Sequence, residues 1–141
     1  MMGKICLITG ATNGFGQVTA HQLAAKGATV VLVARSKARG EAAQALIEAA
    51  TGNRPHLLFA DLLLQKEVKR VAAEFRAQFS RLDVLINNAG YAWMSREETS
   101  EGFEKTFALN YLAYFTLTLE LLDLLNASAP SRIINTASEA H

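Results

Sequence analysis

Apolar positions along the chain fall into two alternating patterns. Short runs rich in β-branched residues or leucine are separated by longer segments whose apolar positions recur at helical spacing. The runs predict strands over Lys4–Thr9, Thr29–Ala34, His56–Ala60, Asp83–Asn87 and Arg132–Thr136. The longer segments predict helices over Gly14–Lys26, Lys37–Ala50, Gln65–Phe79 and Ser100–Asn126. The third of these is the clearest, because Val68, Val71, Ala72, Phe75 and Phe79 form one apolar stripe. Gly27, Gly52, Pro55 and Pro130 fall at the joins, where helix stops and loop residues belong.

Strands that alternate with helices of this length argue for repeated βαβ units, hence a parallel α/β sheet with helices on both faces. Right-handed crossovers leave few topologies, and the order 3-2-1-4-5 is expected. At 141 residues the chain has the length of one domain, so a single unit spanning 1–141 is expected. Hydrophobic residues make up 50%, charged ones 19%, and the net charge is +1. No field of that size holds a polyanion, which argues against nucleic acid as a partner. Cys6 has no partner for a disulfide or a zinc site and suits a small core filler. The first strand begins almost at the N-terminus, which leaves no room for a signal peptide and favours a cytoplasmic setting. The stretch FALNYLAYFTLTLELLDLL is apolar enough to suggest a membrane span, but Asn110, Glu120 and Asp123 interrupt it. A helix at the centre of a soluble domain, and no membrane span, is the expectation.

In an open parallel sheet, ligands bind beyond the carboxyl ends of the strands, where strand order reverses. The first strand ends in Thr9 and runs into TGATNGFG, with Thr12, Asn13 and Phe15 among Gly10, Gly14 and Gly16. Glycines there permit a tight turn and a close approach to a pyrophosphate, whose charge the following helix N-terminus favours. Ordinary turns use glycine too, and the spacing departs from G-x-G-x-x-G. The second strand ends at Arg35, where a protein built for NAD would commonly carry an acid. A guanidinium there can hold a 2′-phosphate, which favours NADP over NAD, although a solvated basic helix start is the alternative. The third strand leads to Asp61 and Leu62, and the fourth to NNAG, with Asn88, Ala89 and Gly90. Asp61 could cap a helix and the asparagines could be turn residues; each could also contact the adenine end or a ribose of a dinucleotide. Ser138 follows the fifth strand at the same edge.

Together these residues resemble the short-chain dehydrogenase/reductase family, and within it the retinol dehydrogenase-like branch. The resemblance rests on TGATNGFG, Asp61, LDVLINNAG, EGFEKTFALNYLAYFTLT and SAPSRIINTASEAH, and runs nearly from end to end. It implies a Rossmann-type fold and hydride transfer between NADP(H) and a small-molecule alcohol or carbonyl. It also implies that Ser138 steadies the substrate oxygen and that Asn110 supports a proton-relay water. Homo-oligomerisation through the long helix, 100–126, would follow from the same family. Asn110 shares a stripe with Phe103, Phe107, Tyr114, Leu117 and Leu121, so a buried side chain with a hydrogen-bond partner is expected. Ala137 stands where the branch has a serine, and Tyr111, Ala113 and Tyr114 stand where it has His, Gly and His.

The family's Tyr-x-x-x-Lys is not among these residues, because Tyr91, Tyr111 and Tyr114 are followed four positions later by Ser95, Phe115 and Thr118. A phenol without a neighbouring cation titrates near ~10 and is a poor proton carrier at neutral pH. The 141 residues thus carry the cofactor half of the family's domain and lack its C-terminal strands and helices. The expectation is an N-terminal part of an oxidoreductase, inactive alone. A non-catalytic NADP-binding regulatory or interaction module is the alternative, as is a truncated product that folds poorly.

Overall fold

The computed structural model describes residues 1–139, so Ala140 and His141 at the end of the SEAH motif lie outside the described residues. Five strands form one sheet: β1 (Ile5–Thr9), β2 (Thr29–Ala34), β3 (His56–Phe59), β4 (Val84–Asn87) and β5 (Arg132–Asn135). Every neighbouring pair is parallel and the order is β3-β2-β1-β4-β5, as the crossover rule requires. The helices are α1 (Gly14–Ala25), α2 (Lys37–Thr51), α3 (Gln65–Gln78) and α4 (Lys105–Ala127).

The period of two along each strand sends alternate residues to opposite faces. Leu7, Val31, Val33 and Leu85 join Val68, Val71 and Phe75 of α3 and Leu117 and Leu121 of α4 in one buried layer. Cys6, Ile8, Val30 and Leu32 face the other way, onto Ala20 and Ala24 of α1 and Ala43 and Ile47 of α2. Cys6 is buried core, as its place in an apolar run suggests, and burial pushes its thiol up to about 11. β5 is exposed along its whole length, with Ile133 and Ile134 open to solvent, so this edge of the sheet has little cover among the described residues.

The long helix departs from expectation at its start and in its burial. Ser100–Glu104 is not helical: Gly102 sits at φ +82°, and the Thr99 N–H donates to the Phe103 carbonyl at 2.7 Å across the turn. The Glu104 side chain then accepts from the Thr106 and Phe107 N–H groups and caps α4. Within α4, Ala108–Leu112 is a π-helical turn between the opening residues Lys105–Phe107 and the α-helical stretch Ala113–Ala127. Its buried side is Ala113, Leu117, Leu121 and Leu125, whereas Tyr111, Phe115, Leu119 and Leu122 are exposed. So α4 covers one sheet face and is not enclosed at the centre of the domain. By length and composition alone it could cross a membrane. Its apolar side instead packs on β4 and α3, where Arg76 also pairs with Asp123.

At the N-terminal ends of the strands, the sheet is tied by Asp83. Its carboxylate is 2% exposed and accepts from Lys4 Nζ at 2.8 Å, the Ile5 N–H at 2.9 Å and the Arg81 guanidinium at 2.5 Å. Burial alone would raise its pKa, but the Lys4, Ile5 and Arg81 bonds outweigh it and hold the group at about 2. A carboxylate depressed in the folded state adds stability above its unfolded pKa and loses it as pH falls through the folded one. Asp83→Asn is expected to lower the unfolding free energy by about 2 kcal/mol at neutral pH. The gap from the parent chain should close between about pH 4 and pH 2 in urea titrations.

Candidate functional site

At the carboxyl ends of the strands lies one large cleft of about 760 Å³, spanning the turn after β1 and the loops after β2, β3 and β4. Gly10, Thr12, Asn13, Gly14, Phe15, Gly16, Arg35, Asp61, Leu62, Asn88, Ala89 and Gly90 all line it. Of the residues expected to contact a cofactor, only Thr9 does not line the cleft. It is 1% exposed, and its hydroxyl accepts from the N–H groups of Asn88 at 2.9 Å and Ala89 at 3.0 Å. Thr9 is thus a brace beneath the cleft that sews the end of β1 to the end of β4.

The same junction explains two of the glycines. Gly10 lies at φ +66°, and a Cβ there would come within 2.7 Å of the Ala89 backbone. A Cβ on Gly16 would collide with Asn88 Nδ2 and the Gly10 carbonyl. Asn88 completes the seam, donating from Nδ2 to the carbonyls of Thr9 and Gly10, both at 3.2 Å, while its Oδ1 accepts from Thr136 Oγ1 at 3.2 Å. Gly14 differs: it adopts φ +51° and a Cβ there would meet nothing within 4 Å, so the chain over the start of α1 lies open. Asn13, at the N-cap of α1, makes no side-chain cap bond, and the first turn carries no acid. The free N–H groups of that turn therefore face the cleft without a competing anion, the condition for holding phosphate.

At the end of β2, Arg35 and Arg39 are exposed and line the cleft with Ser36. Neither arginine takes part in a salt bridge among the described residues. Asp61 is not the cap of α3; its Oδ1 accepts from the Leu63 N–H at 3.1 Å in a local turn, and it remains on the cleft wall. The cap comes from Glu101, whose carboxylate accepts from the N–H groups of Gln65 at 2.6 Å and Lys66 at 3.2 Å. Asn87 is fully buried and turned away from the cleft, donating to Asn135 Oδ1 at 2.9 Å and Thr118 Oγ1 at 3.2 Å.

Asn110 is exposed, not buried as its stripe suggests, because the π turn rotates it away from the face that carries Leu117 and Leu121. It does find partners: Oδ1 accepts from the Tyr91 N–H and Nδ2 donates to the Tyr91 carbonyl, both at 3.0 Å. Ser138 is exposed and follows Thr136 past the end of β5, on the cleft's edge of the sheet but outside its lining. Arg39, Tyr91, Trp93, Leu109 and Thr136 line the cleft without having been singled out as cofactor contacts. Of these, Arg39 has a sequence signal, as a cation four residues after Arg35. Burial pushes the Tyr114 phenol above its ordinary value, further from use as a base.

An open parallel sheet in this order, with helices on both faces and a glycine turn after the first strand, is the Rossmann-type α/β arrangement. Residues 4–141 match the short chain dehydrogenase family, and the chain belongs to that family of oxidoreductases. It is 41% identical to retinol dehydrogenase 12 of Mus musculus over 140 residues and 43% identical to retinol dehydrogenase 13 of Homo sapiens over 143 residues. Each alignment takes in 99% of this chain but 44% and 42% of the relative, so the chain spans less than half the length of these curated relatives. Among solved structures it resembles the Pseudomonas aeruginosa RhlG/NADP active-site complex, with a TM-score of 0.86 and 33% identity over 98% of this chain and 56% of that one. A metagenomic short-chain oxidoreductase in complex with NADP gives a TM-score of 0.87 at 30% identity, over 99% of this chain and 64% of that one.

The Thr9 hydroxyl is the acceptor on which the β1–β4 seam turns. Thr9→Val should leave two N–H groups without a partner and lower the unfolding free energy by about 2–4 kcal/mol. Thr9→Ser should keep most of it, as measured by urea denaturation.

Proposed function

We propose that this chain forms the cofactor-binding half of an oxidoreductase that moves hydride between NADP(H) and an alcohol or carbonyl carbon. The observation that carries this reading is a single cleft that joins a helix N-terminus without a side-chain cap to two arginines, at the end of β2, that make no salt bridge among the described residues. The N–H groups at Gly14–Gly16 would hold the pyrophosphate, and Arg35, with Arg39 beside it, the 2′-phosphate. Asp61 and Leu62 would border the adenine, and Asn88–Gly90 would form the floor under the second ribose. When bound, the nicotinamide supplies a carbon that accepts or donates hydride. Ser138 would hold the substrate oxygen. Asn110, with its side chain committed to the Tyr91 backbone, acts here by positioning that loop.

The stacked row Phe107–Tyr111–Phe115, with ring centroids 5.2 and 6.5 Å apart on the exposed side of α4, supports the homo-oligomer expected through that helix.

Losing a charge-assisted pair costs ~1.5–3 kcal/mol, so Arg35→Ala should weaken NADP binding by about tenfold or more and leave NAD nearly unchanged in calorimetric titrations. Equal loss for both cofactors would show that Arg35 does not contact the 2′-phosphate. The 141-residue chain is expected to bind NADPH without oxidising it in the presence of alcohols or ketones. A chain extended through a Tyr-x-x-x-Lys should turn over, and Ser138→Ala in it should remove most of the rate. Steady NADPH oxidation by the short chain would refute this.

A further inference from the structure

The turn after β3 supplies one wall of the cleft through Asp61, Leu62 and Leu63, and α3 begins two residues further on, at Gln65. Leu62 is seated in the core, whereas Asp61 and Leu63 are half-buried. The turn closes on itself through the Leu63 N–H, which donates to Asp61 Oδ1, and the Leu64 N–H, which donates to the Asp61 carbonyl, both at 3.1 Å. Its far side has no local anchor, because the N-cap of α3 is Leu64, whose side chain accepts nothing. The anchor comes from a distant segment. Glu101 takes the N–H groups of Gln65 and Lys66, and Thr116 Oγ1 of α4 donates to Gln65 Oε1 at 2.5 Å. Glu101 is itself held in a closed hook, residues 97–105. Its N–H donates to Thr99 Oγ1 at 3.3 Å, the Gly102 N–H to the Thr99 carbonyl at 3.0 Å, and the Lys105 N–H to the Glu97 carbonyl at 2.8 Å. The hook lies outside the cleft and runs straight into α4, where Thr106 Oγ1 accepts from the Trp93 N–H at 3.4 Å and Asn110 holds Tyr91.

We infer that Glu101 is a positioning residue for the cofactor cleft: its carboxylate, fixed in the hook before α4, pins the first turn of α3 and through it the wall 61–63 that borders the adenine. Glu101 acts without touching the ligand. A carboxylate at a helix N-terminus satisfies free N–H groups and suits the helix dipole, and its removal lets the first turn fray. Fraying releases Leu64 and then Leu63, so the wall samples several conformations of which one fits the ligand. Apparent affinity falls with the population of that one. This assignment rests on the cleft being the cofactor site proposed above.

The test reads the 141-residue chain in two ways: calorimetric titration with adenosine 2′,5′-bisphosphate, the adenine end of NADP, and amide hydrogen exchange without ligand. Glu101→Ala should weaken the bisphosphate by about threefold to tenfold and speed exchange at Leu63 and Leu64, whose N–H groups do not bond to Glu101. Glu101→Gln, which keeps one acceptor, should move both readouts less and in the same direction. Leu64→Ser in the Glu101→Ala chain restores a cap at α3's own N-cap and should recover most of the affinity. Asp123→Asn breaks the ion pair with Arg76 in the last turn of α3 and should leave the bisphosphate affinity within about twofold. Unchanged affinity in Glu101→Ala, equal weakening in Asp123→Asn, or a double variant that regains stability to urea without regaining affinity would overturn the assignment. If the parent chain binds no bisphosphate, faster exchange at Leu63 and Leu64 in Glu101→Ala would sink the cofactor reading and keep the link from hook to wall; unchanged exchange would sink both.

Discussion

The close approach of the end of β1 to the end of β4 is the constraint on which the rest depends. Thr9 supplies one hydroxyl to two N–H groups, Asn88 returns two bonds to the carbonyls of Thr9 and Gly10, and Gly10 and Gly16 leave out the side chains that would hold the segments apart. Hydrogen bonds of this kind add modest stability each, but leaving their buried groups unpaired is costly, so the seam is held in one geometry. Once it is fixed, the start of α1 must open into the crevice and the β4 loop must rise along its far side. The shape of the cleft follows from a junction that is itself largely hidden from solvent.

The two edges of the sheet are built on different physics. At the amino-terminal edge an almost fully buried carboxylate is surrounded by two cations and a backbone N–H, a rigid electrostatic knot. At the carboxyl edge stand two exposed arginines without a salt bridge among the described residues, across the cleft lining from Asp61 and the open backbone at Gly14. Paired charge stabilises the fold at one end, and the exposed arginines at the other leave their charge to solvent and to the cleft.

Much of this was legible in the sequence because the relevant signals are local. Strand bounds followed from short apolar runs: β2 has the expected bounds and each of the other four strands is one residue shorter at one end. The cleft residues followed from one topological rule applied to strand ends. What could not be read depends on distant partners. Glu101 caps a helix whose first residue is 36 positions away, and nothing near Gln65 announces it. Thr9 looked like a ligand contact because it stands in a ligand motif, and its commitment to Asn88 and Ala89 lies across the sheet. The late start of α4 did leave a trace, in Gly102 and the capping acid Glu104, which helical periodicity through Phe103 and Phe107 obscured. Asn110 was placed on the wrong side because periodicity assumes 3.6 residues per turn throughout.

That last error marks what the π turn in α4 does. A wide turn takes in one residue more than an α-helical turn, and one residue corresponds to about 100° of rotation. The helix consequently has two phases. Upstream of Ala113 its pitch is set by the loop it fastens through Thr106 and Asn110, and downstream by the leucines that fit α3 and the sheet. A regular helix would have to satisfy one set of contacts at the expense of the other. The inserted residue works as a phase shifter that lets the pocket wall and the core be varied independently along one continuous rod.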